Sequence, residues 1–275
     1  MRSYRLGTMV RAMDLGLDGQ TALVTGSTAG IGFATATAFA REKARVILNG
    51  RTQERVDAAI AKLQKEVPGA KVEGVAADLS NAAGAERIVA AFPDVDVLVN
   101  NAAVFAPVAF EDITDAEWLR FFETNVLSGV RLSRHYFPRM LKKNYGRIVF
   151  VSSESALQIP AEMIHYGTTK TAQLAVARGL AERTKGTGVT VNSVLPGPTS
   201  SEGVGDFVKQ LAGSRGISFE AMEKEFFETA RPSSLLGRFS TPEEVANMIV
   251  YVGSKAASAT NGASVRVDGG VVRAI

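Results

Sequence analysis

The stretch TALVTGSTAGIG, residues 21–32, runs from an apolar β-prone segment through three glycines into the Ala-rich segment FATATAFARE, residues 33–42. It reads as a buried strand, a tight turn and the start of a helix. Glycine is needed where a strand reverses this sharply and where main chain must approach a ligand closely. The helix start then offers N–H groups without intrahelical partners and the positive end of the helix dipole, a setting for phosphate oxygens. Gly26, Gly30 and Gly32 are spaced G-x-x-x-G-x-G rather than the general G-x-G-x-x-G. Between the first strand and first helix of a β-α-β chain, the turn points to the pyrophosphate of a dinucleotide, with Gly26, Ser27, Thr28, Gly30, Ile31 and Gly32 around it.

Working outward, the same rhythm continues along the chain. Six more strand candidates follow Thr21–Thr25: Arg45–Leu48, Lys71–Ala77, Val95–Asn100, Arg147–Ser152, Thr190–Leu195 and Ser264–Val267. Several are continuous Val/Ile/Leu runs, the pattern of parallel strands covered on both faces. Ala-rich segments of helical length lie between them. The fold class expected is α/β, a doubly wound parallel seven-stranded sheet of the Rossmann type with helices on both faces. No linker or repeat divides the chain, so residues 14–275 read as a single domain, with residues 1–13 as a disordered leader or tail. Thr114-Asp115-Ala116-Glu117 and Thr241-Pro242-Glu243-Glu244 read as capping boxes that open helices. Residues 196–238 are irregular, with a weakly amphipathic piece at Phe219–Ala230. A segment this long before the last helix reads as a substrate loop.

Bulk composition narrows the chemistry. The chain has 275 residues, 46% hydrophobic and 21% charged, enough to bury a large core unaided. It has no Cys, which excludes disulfides, thiolate metal sites and a Cys nucleophile, and fits a reducing compartment such as the cytoplasm. Arg2, Arg5 and Arg11 precede the first acid, Asp14, and account for the whole formal surplus of +3. The body is therefore neutral and carries no footprint for nucleic acid. No apolar run reaches the roughly 20 residues of a membrane span. Two histidines without an H-x-x-x-H pattern give no metal site.

Two further places carry chemistry. After the second strand the sequence is Asn49-Gly50-Arg51-Thr52. An acid here would bond the adenosine ribose diol of NAD, whereas an Arg suits a 2′-phosphate. Gly50 stands where the acid is expected and Arg51 follows, so NADP(H) is favoured, with NAD(H) the alternative. Tyr166 and Lys170 are four residues apart in a helical segment, hence on one face. A phenol titrates near pH 10. A neighbouring ammonium and an oxidised nicotinamide would both favour its ionised form, so the pair suits proton transfer coupled to hydride transfer.

Together these segments resemble the short-chain dehydrogenase/reductase family over essentially all of Leu17 to Gly270. The matching pieces are TGSTAGIG (25–32), ADLS (77–80), NNAA (100–103), Asn125, Ser152-Ser153, YGTTK (166–170), PGPT (196–199) and VDGG (267–270). The resemblance implies an NAD(P)-dependent oxidoreductase acting between a carbonyl and a secondary alcohol. It makes Tyr166 the general acid/base, and has Lys170 lower the Tyr166 pKa and bind the nicotinamide ribose. It gives Ser153 the substrate oxygen, and Asn125 a water leading toward Lys170. Asp78 and Leu79 are assigned to the adenine side, Asn101, Ala102 and Ala103 to the adenosine end and floor, and Pro196, Gly197 and Thr199 to the nicotinamide. Ala103 departs from the family's usual Gly.

Glu154, beside Ser153, is read as a solvated loop residue in preference to a substrate-facing acid. His165 is expected to point away from Tyr166, and His135 to lie at the surface or an interface. Ile159, Met163, Phe207, Leu211, Phe226 and Phe227 are candidates to line or close a pocket. The resemblance also implies a dimer or tetramer, with 116–142 and 161–184 as packing helices and the partner otherwise a small molecule. A same-fold isomerase or dehydratase fits less well, because its G-x-x-G-x-x-G turn and longer C-terminal half are missing. A non-catalytic dinucleotide sensor has no need of Ser153, Tyr166 and Lys170.

Overall fold

The computed structural model describes residues 13–201, 215 and 217–275; Phe207, Leu211 and the leader at 1–12 lie outside them. All seven anticipated strands form: β1 (Thr21–Val24), β2 (Arg45–Gly50), β3 (Val72–Ala76), β4 (Val97–Asn100), β5 (Gly146–Val151), β6 (Val189–Pro196) and β7 (Ser264–Val267). They pair in parallel in the order β3-β2-β1-β4-β5-β6-β7. The order reverses between β1 and β4, and such a switch point opens a crevice at the carboxyl ends of the strands.

Side chains alternate between the two faces of a strand, and the core divides accordingly. Ala22 and Val24 of β1 join Phe33, Ala36 and Phe39 of α1 (Gly30–Arg41) and Leu63 of α2 (Gln53–Glu66) on one face. Val245 and Ile249 of α8 (Pro242–Val252) complete that layer. Leu23 of β1 faces the other way, toward Ile88 of α3 (Ala82–Ala91) and Leu132 and Phe137 of α5 (Ser128–Lys143). Ala177 of α6 (Ile164–Glu182) packs there too. Both layers consist of fully buried aliphatic and aromatic groups, each worth about 1.5–3 kcal/mol on leaving water.

Caps fix where the helices begin. Thr241 and Glu244 form a complete capping box with Pro242 at the first position of α8. The box expected at Thr114 is only half made in α4 (Asp115–Phe122). Thr114 accepts from the Glu117 N–H at 3.2 Å, but the Glu117 carboxylate turns to Arg120 instead. The helical chain from α4 into α5 passes through a π-helical stretch, Glu123–Leu127, which carries Asn125. The amphipathic piece in the irregular region becomes α7 (Phe219–Thr229), capped by Ser218. Met222 and Phe227 of α7 form a small separate cluster with Phe239.

Candidate active site

Main chain builds the first side of the crevice. Gly26 and Gly30 have φ of +59° and +55°, which favour glycine. At Gly32 the constraint is space, since an added Cβ would meet the Gly26 carbonyl and lie 2.6 Å from Asn101 Nδ2. That amide donates to the carbonyls of Thr25 at 2.9 Å and Gly26 at 3.1 Å. In return Thr25 Oγ1 accepts from the N–H groups of Asn101 at 2.9 Å and Ala102 at 3.0 Å. The end of β4 is thereby fastened to the β1–α1 turn. The first N–H groups of α1 have no earlier helical carbonyl to bond and suit an anion, so the turn fits a dinucleotide phosphate.

Two of the residues expected to meet the ligand turn their side chains inward. Ser27 is fully buried, its hydroxyl donating to Val24 O at 2.7 Å and accepting from Asn49 N at 3.0 Å. Its side chain holds the turn together from behind. Leu79 packs into the core. Asp78 is exposed, and its Oδ1 accepts the Ser80 N–H at 3.0 Å. An added Cβ at Gly50 would run into the methyl of Thr28. Arg51 follows it, exposed, just before the Thr52 cap of α2.

Side chains build the second side. One cavity of about 420 Å³ is lined by Ile31, Asn101 and Ala103 from the turn side, by Ser153, Tyr166 and Lys170, and by Pro196, Gly197 and Thr199 beyond β6. Gly197 donates to Val267 O at 3.0 Å, and Thr199 bridges to Ser240, so this loop lies against the end of β7. Ser153 sits just past β5, and Tyr166 and Lys170 lie in the first turns of α6. The Ser153 and Tyr166 side chains face the same cavity. Lys170 Nζ donates to Val151 O at 3.0 Å and stands 5.5 Å from the centre of the Tyr166 ring.

Burial dominates the titration of both groups. It drives the Tyr166 phenol above its ordinary value, the Glu154 charge adds to this, and Ser153 and Arg231 oppose it. It pushes Lys170 down to about 7. The expected lowering of Tyr166 by Lys170 is therefore not the governing influence: desolvation moves each group toward its neutral form.

Asn125 is fully buried and does not bond Lys170. Its amide donates to Val104 O and Thr169 Oγ1, both at 3.0 Å, and its Oδ1 accepts from Val104 N at 2.7 Å. Its main-chain carbonyl accepts from Gln173 Nε2 at 2.6 Å. One of two lone pairs is thus committed.

Glu154 overturns its reading as a solvated loop residue. It is 4% exposed, lines the cavity, and accepts the Ser153 hydroxyl at 2.5 Å. Its other oxygen faces Arg231 Nε at 3.2 Å, and Arg231 Nη1 also meets the half-exposed Glu162 at 3.3 Å. His165 does turn from the cavity, its ring 4.0 Å from that of Phe121 and 6.0 Å from that of Trp118. His135 meets Pro93 O at 2.9 Å. Of the apolar pocket candidates, Met163 and Phe226 line the cavity, Phe227 packs behind it, and Ile159 is exposed.

Phe105, Pro107, Glu162, Met222, Arg231 and Phe239 line the cavity without having been singled out. For Phe105 and Pro107 a signal existed, since they directly follow the NNAA segment at a strand's carboxyl end, where ligands bind in such sheets. Arg231 carried none.

Comparison with known proteins agrees with this arrangement. The family model for short chain dehydrogenases matches residues 20–212. Two Bacillus subtilis oxidoreductases of uncharacterised role, YvrD and YvaG, are 48% and 45% identical, each match covering 96% of this chain and 100% of the relative. A D-beta-hydroxybutyrate dehydrogenase from Cupriavidus necator is 35% identical over 93% of this chain and 99% of its own. Among solved structures, L-sorbose reductase from Gluconobacter frateurii, complexed with NADPH and L-sorbose, superposes with a TM-score of 0.89. It is 30% identical, and the match covers 96% of this chain and 100% of that one. The chain belongs to the short-chain dehydrogenase/reductase family and is an NAD(P)-dependent oxidoreductase.

Proposed function

We propose that this enzyme moves a hydride between nicotinamide and a small carbonyl or secondary-alcohol substrate, with Tyr166 as general acid/base. The observation that carries this reading is that Ser153, Tyr166 and Lys170 line the same cavity as Ile31 and Asn101 of the glycine turn. When bound, the nicotinamide supplies or accepts the hydride. Tyr166 gives its proton to the developing alkoxide during reduction and takes one back during oxidation. Ser153 donates to the same oxygen, where negative charge grows. Lys170, held to Val151 O from behind, bonds the nicotinamide ribose and adds positive charge beside the phenol when protonated. Asn125 braces α6 through Thr169 and Gln173 and offers its remaining lone pair to a water.

Gly26, Thr28, Gly30, Ile31 and Gly32 hold the pyrophosphate, with Ser27 supporting them. Asp78, the main chain of Leu79, Asn101, Ala102 and Ala103 take the adenosine side, and Pro196, Gly197 and Thr199 the nicotinamide. NADP(H) is favoured over NAD(H). Thr28 leaves no room for an acidic side chain at position 50, while Arg51 is free to reach a 2′-phosphate; the sorbose reductase was solved with NADPH. We further infer that residues 14–275 act as one catalytic unit, a cytoplasmic homo-oligomer, dimer or tetramer.

Titration with NADPH and NADH by fluorescence, followed by absorbance assays over carbonyl and alcohol panels, tests the reading. Tighter NADH binding would remove the Arg51 argument. Undiminished turnover in Tyr166→Phe would remove Tyr166 from the chemistry, and a stable monomer in sedimentation would remove the oligomer.

A further inference from the structure

Glu154 is a carboxylate in the wall of a largely apolar cavity, one hydrogen bond from the hydroxyl assigned to the reacting oxygen. A hydroxyl has a single proton to donate. Ser153 gives that proton to Glu154 Oε2 at 2.5 Å and accepts from Ser155 N at 3.1 Å. To donate to a carbonyl oxygen instead, it must turn away from Glu154. That leaves Oε2, on a side chain 4% exposed, without its donor, and an unsatisfied buried charge is costly. A substrate that brings its own O–H to Oε2 completes an exchange of donors; a substrate without one does not.

Geometry limits where that O–H can be. Oε2 is one hydrogen-bond length from Ser153 Oγ, and Oγ is one such length from the reacting oxygen. The carboxylate oxygen thus lies roughly 5 Å or less from the reacting oxygen. A hydroxyl on the carbon next to the reacting carbon falls between the two.

Charge and shape narrow the rest. Glu154 and Glu162 already share the guanidinium of Arg231, so a further carboxylate on the substrate finds two like charges around a cation whose pairing is taken. Beyond that polar wall stand Phe105, Met163, Met222, Phe226 and Phe239, which suit a carbon chain rather than a row of hydroxyls.

We propose that Glu154 is a substrate-binding residue that selects uncharged carbonyl compounds bearing a hydroxyl on the adjacent carbon and an apolar remainder, and the corresponding vicinal diols in the reverse direction. Arg231 is a positioning residue that holds the carboxylate for this contact. The proposal rests on Ser153 and Tyr166 meeting the reacting oxygen.

The test compares kcat/KM for 3-hydroxybutan-2-one, butan-2-one and 3-oxobutanoate with NADPH. The hydroxy ketone exceeds butan-2-one by roughly ten- to a hundred-fold, the worth of one hydrogen bond to a charged group, and 3-oxobutanoate falls below both. Glu154→Ala brings the hydroxy ketone to butan-2-one ratio close to one, and Glu154→Gln, whose amide oxygen still accepts, retains part of it. A wild-type ratio near one, or a ratio that survives in Glu154→Ala, overturns the proposal. The wild-type ratio decides even if Glu154→Ala fails to fold. Tyr166→Phe separates the failures: a ratio near one in an enzyme that needs Tyr166 sinks only the selectivity, whereas an enzyme indifferent to Tyr166 sinks the site assignment beneath it.

Discussion

At the β1–α1 turn the surface offered to a ligand is main chain, shaped by glycines and locked by Asn101 and Thr25 just past the ends of two neighbouring strands. At the head of α6 it is side chain, and the groups arrive from distant parts of the chain: Ser153 after β5, Tyr166 on α6, Arg231 after α7. The first wall needs only the right backbone path. The second needs buried polar groups to find one another, and each is held away from water at a cost that its partner offsets. Damage to the first wall should therefore be read in dinucleotide binding, and damage to the second in turnover and stability.

The sharpest way to break that contrast is Tyr166→Phe. Turnover is expected to fall by about 10²–10⁴-fold while the NADPH dissociation constant stays close to wild type, as measured by steady-state assay and fluorescence titration. A large loss of NADPH affinity would mean that the two walls are not separable.

Arg231→Ala comes next. It leaves the buried Glu154 carboxylate without its counter-charge, so urea unfolding should show a loss of about 3–5 kcal/mol. An unchanged midpoint would show that the pair is solvated in solution.

On the other wall, Gly32→Ala forces a methyl against the Gly26 carbonyl and the Asn101 amide. We expect about 1–3 kcal/mol lower stability and weaker dinucleotide binding, with turnover recovered at saturating cofactor. Lost turnover that excess NADPH cannot restore would place this turn in the chemistry itself.

The smallest effect is a slope. Lys170 titrates near 7 when folded and near 10.5 in its unperturbed form. Between those values the unfolded chain binds the extra proton, so unfolding free energy rises with pH, by at most about 1.4 kcal/mol per unit. Lys170→Met should flatten that rise in urea titrations across the window, and a persisting slope would assign it elsewhere.

The same contrast explains what could be read from the amino acids alone. The central strands were legible because parallel strands buried on both faces are written as continuous apolar runs, whereas the edge strands VEGVA and SVRV carried only their β-branched residues and their place in the β-α rhythm. Gly26, Gly30 and Gly32 were legible because their constraint is local. Tyr166 and Lys170 share one helix face, so spacing sufficed. The inward turn of the Ser27 hydroxyl to Val24 and Asn49 was not legible, because nothing in the glycine spacing tells which way that side chain points. Glu154 was misread because its burial depends on Arg231, and no periodicity links an acid at a strand end to a base in an irregular segment. The half-made cap at Thr114 fails for a related reason, as Glu117 had a better partner in Arg120.

Glu154 and Arg231 are separated by 77 positions, and this has a bearing on biosynthesis. On the ribosome, β5 and the serine that follows it emerge well before the arginine, so the acid stays hydrated while the first five strands are already available to assemble. Only when the C-terminal portion docks does the acid gain a counter-ion worth leaving water for. Completing this wall of the cavity is then a late event in maturation, since a nascent chain halted before position 231 lacks the guanidinium that pairs with Glu154.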